Sequence, residues 1–120
     1  MIKAYYLYTG PDGHSHFKSG RIDEHVITTA TKIHFKETPA GSSYDWHTAP
    51  SSQFVITLSG VLQFTMHDES TFTLNPGEVL IAQDTTGSGH HWRLLGNDPW
   101  KRAYVLFDEH LALNFIEDAE

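Results

Sequence analysis

Residues 41–60 read GSSYDWHTAPSSQFVITLSG, and their second half sets the architecture. In an extended chain, alternate side chains point to opposite faces. Gln53, Val55, Thr57 and Ser59 therefore share one side of a strand, and Phe54, Ile56 and Leu58 share the other. The first side is mixed and mildly polar, suited to the wall of a cavity. The second is strongly apolar and needs a cover, from the N-terminal strand or from a second copy of the chain. The first half of the stretch holds one histidine, His47, between Gly41 and Gly60. What that histidine does is the functional question.

Working outward, the same style of punctuation recurs. Runs rich in Val, Ile, Thr, Tyr and Phe are separated by turn signals. Strands are expected near Ile2–Tyr8, Val26–Lys36, Gln53–Ser59, Val61–Met66, Thr71–Leu74, Glu78–Ala82, His91–Leu95 and Arg102–Phe107. Pro76–Gly77 suits the two central positions of a type II turn. The tail, DEHLALNFIEDAE, fits a strand by the alternation of Leu111, Leu113 and Phe115. It also fits a helix by the pairs Leu111/Phe115 and Ala112/Ile116. Eight short strands in one small domain imply an all-β sandwich or closed barrel.

A length of 120 residues suits one domain spanning 1–120. There is no cysteine, hence no disulfide or thiolate chemistry. Eight basic residues against fifteen acidic ones give a net charge of −7, without the basic stripe that phosphate backbones require, so nucleic acid is excluded as a partner. No stretch reaches the ~20 apolar residues needed to cross a membrane, and the N-terminus lacks a signal-peptide core. A cytoplasmic location and no membrane partner are expected. Nine histidines are scattered along the chain rather than gathered in a run.

The spacing Gly41–x5–His47–x–Ala49–x3–Gln53–x6–Gly60 resembles the first conserved motif of the cupin superfamily, Gly–x5–His–x–His–x3or4–Glu–x6–Gly. Both glycines, the first histidine and every interval match. Ala49 stands at the second histidine, and Gln53 stands at the glutamate. Farther on, PGEVLIAQDTTGSGHHW (76–92) resembles the second motif, with Gly77 leading and His90 at the ligand position. The resemblance covers roughly residues 40–107 and is closest to small single-domain bacterial cupins. It implies a double-stranded β-helix, a jelly-roll-like antiparallel barrel, with the N-terminal strand and the tail packed on the barrel or on a partner. It also implies one divalent transition metal (Fe, Mn, Ni, Zn or Cu) serving oxygenation or isomerisation of a small organic molecule.

Two readings of the motif stay open. In one, His47, Gln53 and His90 hold a metal more weakly than the family's full ligand set, because a neutral amide replaces a carboxylate and one imidazole is missing. In the other, Gln53 and His47 hydrogen-bond each other in a metal-free polar pocket, and the chain is a binding or sensing module without catalysis. His14 and His16, two apart in DGHSHF, are spaced to chelate, so His16 is a further candidate ligand if that segment folds over the barrel mouth.

His90 is preferred to His91 because its register places Trp92 and Leu94 inside and Arg93 in solvent. The expected pocket is His47, Ala49, Gln53, Val55, Thr57, His90 and Trp92. Asp45 is expected on His47's side, able to orient its ring or act as a base but more commonly a rim carboxylate in solvent, and Asp84 on the loop before His90 is read as a turn residue. The apolar face of Phe54, Ile56 and Leu58 predicts a homodimer.

Overall fold

A computed structural model describes residues 1–119. In chain order its strands are β1 (Lys3–Thr9), β2 (Ser15–Ile22), β3 (Lys32–Thr38), β4 (Ser43–His47), β5 (Gln53–Ser59), β6 (Val61–Thr65), β7 (Thr71–Leu74), β8 (Val79–Gln83), β9 (His90–Leu95), β10 (Trp100–Leu106) and β11 (Phe115–Glu117). There is no helix among the described residues, so none is long and apolar enough to cross a membrane. A larger sheet runs β11-β2-β1-β8-β5-β10-β3, and a smaller one runs β4-β9-β6-β7. The protein is all-β and jelly-roll-like. Its two sheets face each other without closing into one hydrogen-bonded barrel, and β1 pairs with β8 in parallel within a largely antiparallel arrangement.

Alternation dictates the two sides of the larger sheet. Cross-strand partners Gln53/Ala82 and Val55/Leu80 are on the inner side, while Phe54/Ile81 and Ile56/Val79 are on the outer. The inner core joins Leu7, Leu80 and Trp100 of the larger sheet to Leu62, Phe64, Phe72, Leu74, Trp92 and Leu94 of the smaller. Phe64 stacks on Phe72 at 4.9 Å between centroids, and Tyr5 covers Phe72 at 4.5 Å. Each large side chain sealed in this layer contributes about 1.5–3 kcal/mol relative to exposure.

The outer side has its own small core. Phe54, Ile81 and Phe107 are buried there, with Tyr6, Ile22, Val105, Leu111, Leu113 and Phe115 against them. The cover for Phe54 is thus the chain's own C-terminal segment. That cover stops short of Leu58, which stays exposed.

Several strands differ from expectation. The one expected from Val26 begins only at Lys32, because Val26 N donates to Asp23 O in a turn and Thr31 N is the first to reach the end of β10, at Leu106 O. β2 was not foreseen, since Phe17 and Ile22 are its only large apolar residues. It forms because β1 needs a partner on that side, and the pair runs in register from Lys3/Arg21 to Thr9/Ser15. β4 was not foreseen as a strand either. The ambiguous tail resolves as β11, paired to β2. Gly20 permits that pairing: a Cβ there would lie 2.2 Å from Ile116 O and 2.6 Å from the Phe115 ring.

Candidate functional site

Between the sheets lies a cavity of about 500 Å³, within the ~300–1,000 Å³ usual for small-molecule sites. β4 and β9 bring His47 and His90 to it as direct cross-strand partners. Their rings are 4.5 Å apart between centroids. Gly89 makes this approach possible. Its φ is +77°, and a Cβ there would meet His47 O at 2.2 Å, so any side chain would push β9 away from His47.

Both histidines have Nδ1 committed to the protein. His47 Nδ1–H donates to the Asp45 carbonyl oxygen at 2.7 Å. His90 Nδ1–H donates to Asp84 Oδ2 at 2.5 Å, and Ser15 Oγ–H donates to the same oxygen at 2.5 Å. These acceptors fix the tautomers and leave each Nε2 as the unengaged ring nitrogen. Asp84 is fully buried, and its Oδ1 has no partner among the described residues. Burial lowers the pKa of His47 below its ordinary value, and proximity to His90 acts in the same direction; the bond to Asp45 and the Asp84 charge oppose them.

The cavity wall contains His47, Ala49, Gln53, Val55, His90 and Trp92. Thr57 faces inward but is buried beneath the wall, where its Oγ1 accepts a hydrogen bond from Trp100 Nε1 at 3.2 Å. His16 is not brought to the cavity. Its Nε2 lies 2.9 Å from Asp12 Oδ2, and His14 bonds Ser88 through Nδ1. Gln53 makes no hydrogen bond to His47. Asp45 does orient the His47 ring, through its backbone carbonyl, because a register shift between Tyr44 and His47 places those two residues, rather than Asp45, on the inner side. Asp84 is the largest departure from expectation. It is a buried acceptor behind His90 rather than a turn residue.

The wall residues not foreseen include His34, Lys36, Arg102 and Tyr104. The alternation of β3 and β10 carries them, since His34 and Lys36 pair with Tyr104 and Arg102 on the inner side. His34 stacks on Tyr104 at 4.7 Å.

A model of the AraC-like ligand-binding domain matches residues 33–120, most of the chain and all of the cavity wall. The chain belongs to that family. As an AraC-like ligand-binding domain it is a cupin-type module. No curated protein matches it. Among solved structures it is similar to the cupin domain of Cnp3 from Schizosaccharomyces pombe, at 14% identity over 90% of this chain and 89% of that one, with a TM-score of 0.48. It is also similar to a cupin-2 domain protein from Shewanella frigidimarina, at 22% identity over 72% and 78%, with a TM-score of 0.44. A third similar structure is the SPY1581 protein of Streptococcus pyogenes, at 20% identity over 68% and 67%, with a TM-score of 0.47.

The donor set does not fit the metal that the cupin resemblance implies. Of the three imidazoles on the wall only His47 and His90 lie together, beside one neutral amide, and among the described residues no carboxylate lines the cavity and no group of three His, Cys, Asp or Glu side chains is arranged to hold an ion. Asp84, the one buried acid nearby, is occupied as the acceptor for His90.

Proposed function

We propose that this AraC-like domain binds a small organic molecule in the cavity between its sheets, with His47 and His90 contacting it through Nε2. The carrying observation is the paired commitment of both Nδ1 atoms. Two imidazoles held in one tautomer offer two directed acceptors toward a partly apolar space. Apolar walls supply contact area, and the few polar groups set orientation. The lowered pKa keeps His47 neutral, hence an acceptor, at neutral pH.

Mass spectrometry of untagged protein under native conditions tests this reading, beside Val55→Trp, which fills the cavity. A bound organic mass in the wild type that is lost in the variant is the expected result. No bound mass, together with no thermal shift from a chemically varied library, would overturn it.

Acid–base catalysis on the bound molecule is a second reading, favoured by the Asp84–His90 pair. A buried acid behind a histidine orients the ring and fixes its tautomer, the arrangement a general base needs. Metal-assisted oxygenation or isomerisation has less support, given the donor set. Elemental analysis of protein purified without chelators, beside His47→Ala, decides it: near-stoichiometric metal that disappears in the variant would restore that route.

We also infer a homodimer formed by the uncovered part of the outer face. Ile33, Phe35 and Leu58 are exposed there, Phe35 by 70%. β3 is the end strand of the larger sheet, with one hydrogen-bonding edge unpaired among the described residues. A second copy meets both needs through a symmetric contact, and light scattering tests it.

A further inference from the structure

Arg102 sits in the middle of β10, only 3% exposed, and lines the cavity. A guanidinium keeps its charge at any pH at which a protein is folded, and a buried charge calls for compensation. Neutral groups supply part of it. Nη1 donates to Thr38 Oγ1 at 2.6 Å and to Trp100 O at 3.1 Å, and Nε donates to Tyr104 Oη at 2.9 Å. The guanidinium carbon lies 3.7 Å from the centroid of the Trp100 ring, a cation–π contact. No carboxylate among the described residues pairs with it. Nη2 makes no hydrogen bond among the described residues, and the side chain borders the cavity.

The surroundings have the same bias. Lys36, His34, His47 and His90 share the wall with Arg102, and no aspartate or glutamate among the described residues lies on it. This is a chain with fifteen acidic residues against eight basic ones. The acids are kept off the one surface where the guanidinium lacks a partner.

We propose that the molecule bound in the cavity is a monoanion, a small organic carboxylate with a flat apolar body. Arg102 Nη2 takes the carboxylate, and Trp92, Trp100 and Tyr104 flank the body. Arg102 is the one buried cation of the wall, with one charge and one nitrogen free of a partner among the described residues, which matches a single negative charge, whereas Lys36 is exposed to solvent. A phosphate monoester, at about −1.5 to −2, exceeds what that one buried charge offsets. The aromatic walls offer faces on which a ring or conjugated chain lies at ordinary contact distance. This proposal rests on the small-molecule reading above and adds the charge of the ligand to it.

Isothermal titration with benzoate and phenylacetate, each beside its neutral amide, tests it on the wild type, Arg102→Met and Arg102→Lys. The wild type is expected to bind the acids at least ~10-fold more tightly than the amides, about 1.4 kcal/mol. Arg102→Met should abolish that preference, weakening the acids by more than the amides, and Arg102→Lys should keep part of it. If Arg102→Met does not fold, guanidinium 1H–15N spectra of the wild type serve instead, with the acids and not the amides shifting the Arg102 resonances. Amides binding as tightly as acids, an acid preference that survives Arg102→Met or, when that variant does not fold, Arg102 resonances that the acids leave unmoved, would overturn the proposal and leave the small-molecule reading standing. No binding by any of the four probes would count against both.

Discussion

Asp84→Asn is the substitution that the buried triad of Ser15, Asp84 and His90 makes most informative. Asp84 Oδ2 accepts two hydrogen bonds at 2.5 Å in a fully buried setting. Bonds to a charged group are worth about 1.5–3 kcal/mol each, and neutral ones about 0.5–1.5. The amide oxygen keeps both contacts in neutral form, so the loss is ~1–1.5 kcal/mol at each. The new NH2 falls where Oδ1 has no partner, which adds a buried unsatisfied donor at ~1–3 kcal/mol. The sum is about 3–6 kcal/mol, out of a stability of ~5–15 kcal/mol for a domain, and a fall in Tm of at least ~10 °C. Ser15→Ala, which removes one of the two bonds, should cost about half as much. Urea unfolding of the three proteins at neutral pH measures this, and long-range 1H–15N correlation reads the His90 tautomer directly. If Asp84→Asn is within ~0.5 kcal/mol of the wild type, or if His90 Nδ1 carries no proton, the buried acceptor does not hold the ring and the reasoning fails.

The pH dependence has a definite sign. His47 titrates below 6.5 in the folded state, so as the pH falls under 6.5 the unfolded chain takes up the proton first, and stability is lost until the lowered folded value is passed. His47→Gln should flatten this acidic limb in thermal unfolding followed at several pH values; an unchanged limb would show that another group causes it. Gly89→Ala places a methyl 2.2 Å from His47 O at a left-handed backbone. A cost of roughly 2–4 kcal/mol and weakened ligand binding are expected in denaturant unfolding and calorimetry, and wild-type behaviour would mean the β4–β9 contact relaxes freely. Phe35→Lys should convert the dimer to a monomer at micromolar concentration by light scattering. A wild type that is already monomeric rules the dimer out.

How legible the fold was depended on how much of each strand's pattern its own residues carried. Gln53–Ser59 and Thr71–Leu74 were foreseen to the residue because their alternation is written in large apolar side chains. β2 was invisible: its sequence, SHFKSGRI, reads as polar loop, and its pairing is imposed by β1 on one side and β11 on the other. The site divides along the same line. His47, Gln53 and His90 stand in a spaced motif, whereas Asp84 is one acid among several in a turn-like run. Its burial depends on β2 bringing Ser15 across the sheet, which no local pattern encodes. Arg102 was missed for a similar reason. An arginine in a strand reads as solvent-facing until Trp100 and Tyr104 on either side are seen to point inward with it.

The pairing of β11 with β2 bears on how the chain is made. These strands are about ninety residues apart in sequence, and the parallel pair β1–β8 and the pair β3–β10 also close long loops. Such a topology folds slowly, because loop entropy is lost before the contacts that reward it are formed. During synthesis Phe54 and Ile81 leave the ribosome well before the residues that cover them, Phe107, Leu113 and Phe115. For that interval a nascent chain displays an apolar sheet face with an open edge at β2. The interval ends only when residues near 117 arrive. Aggregation on translation should therefore depend on how quickly that last segment is delivered, a vulnerability in time that the finished fold no longer displays.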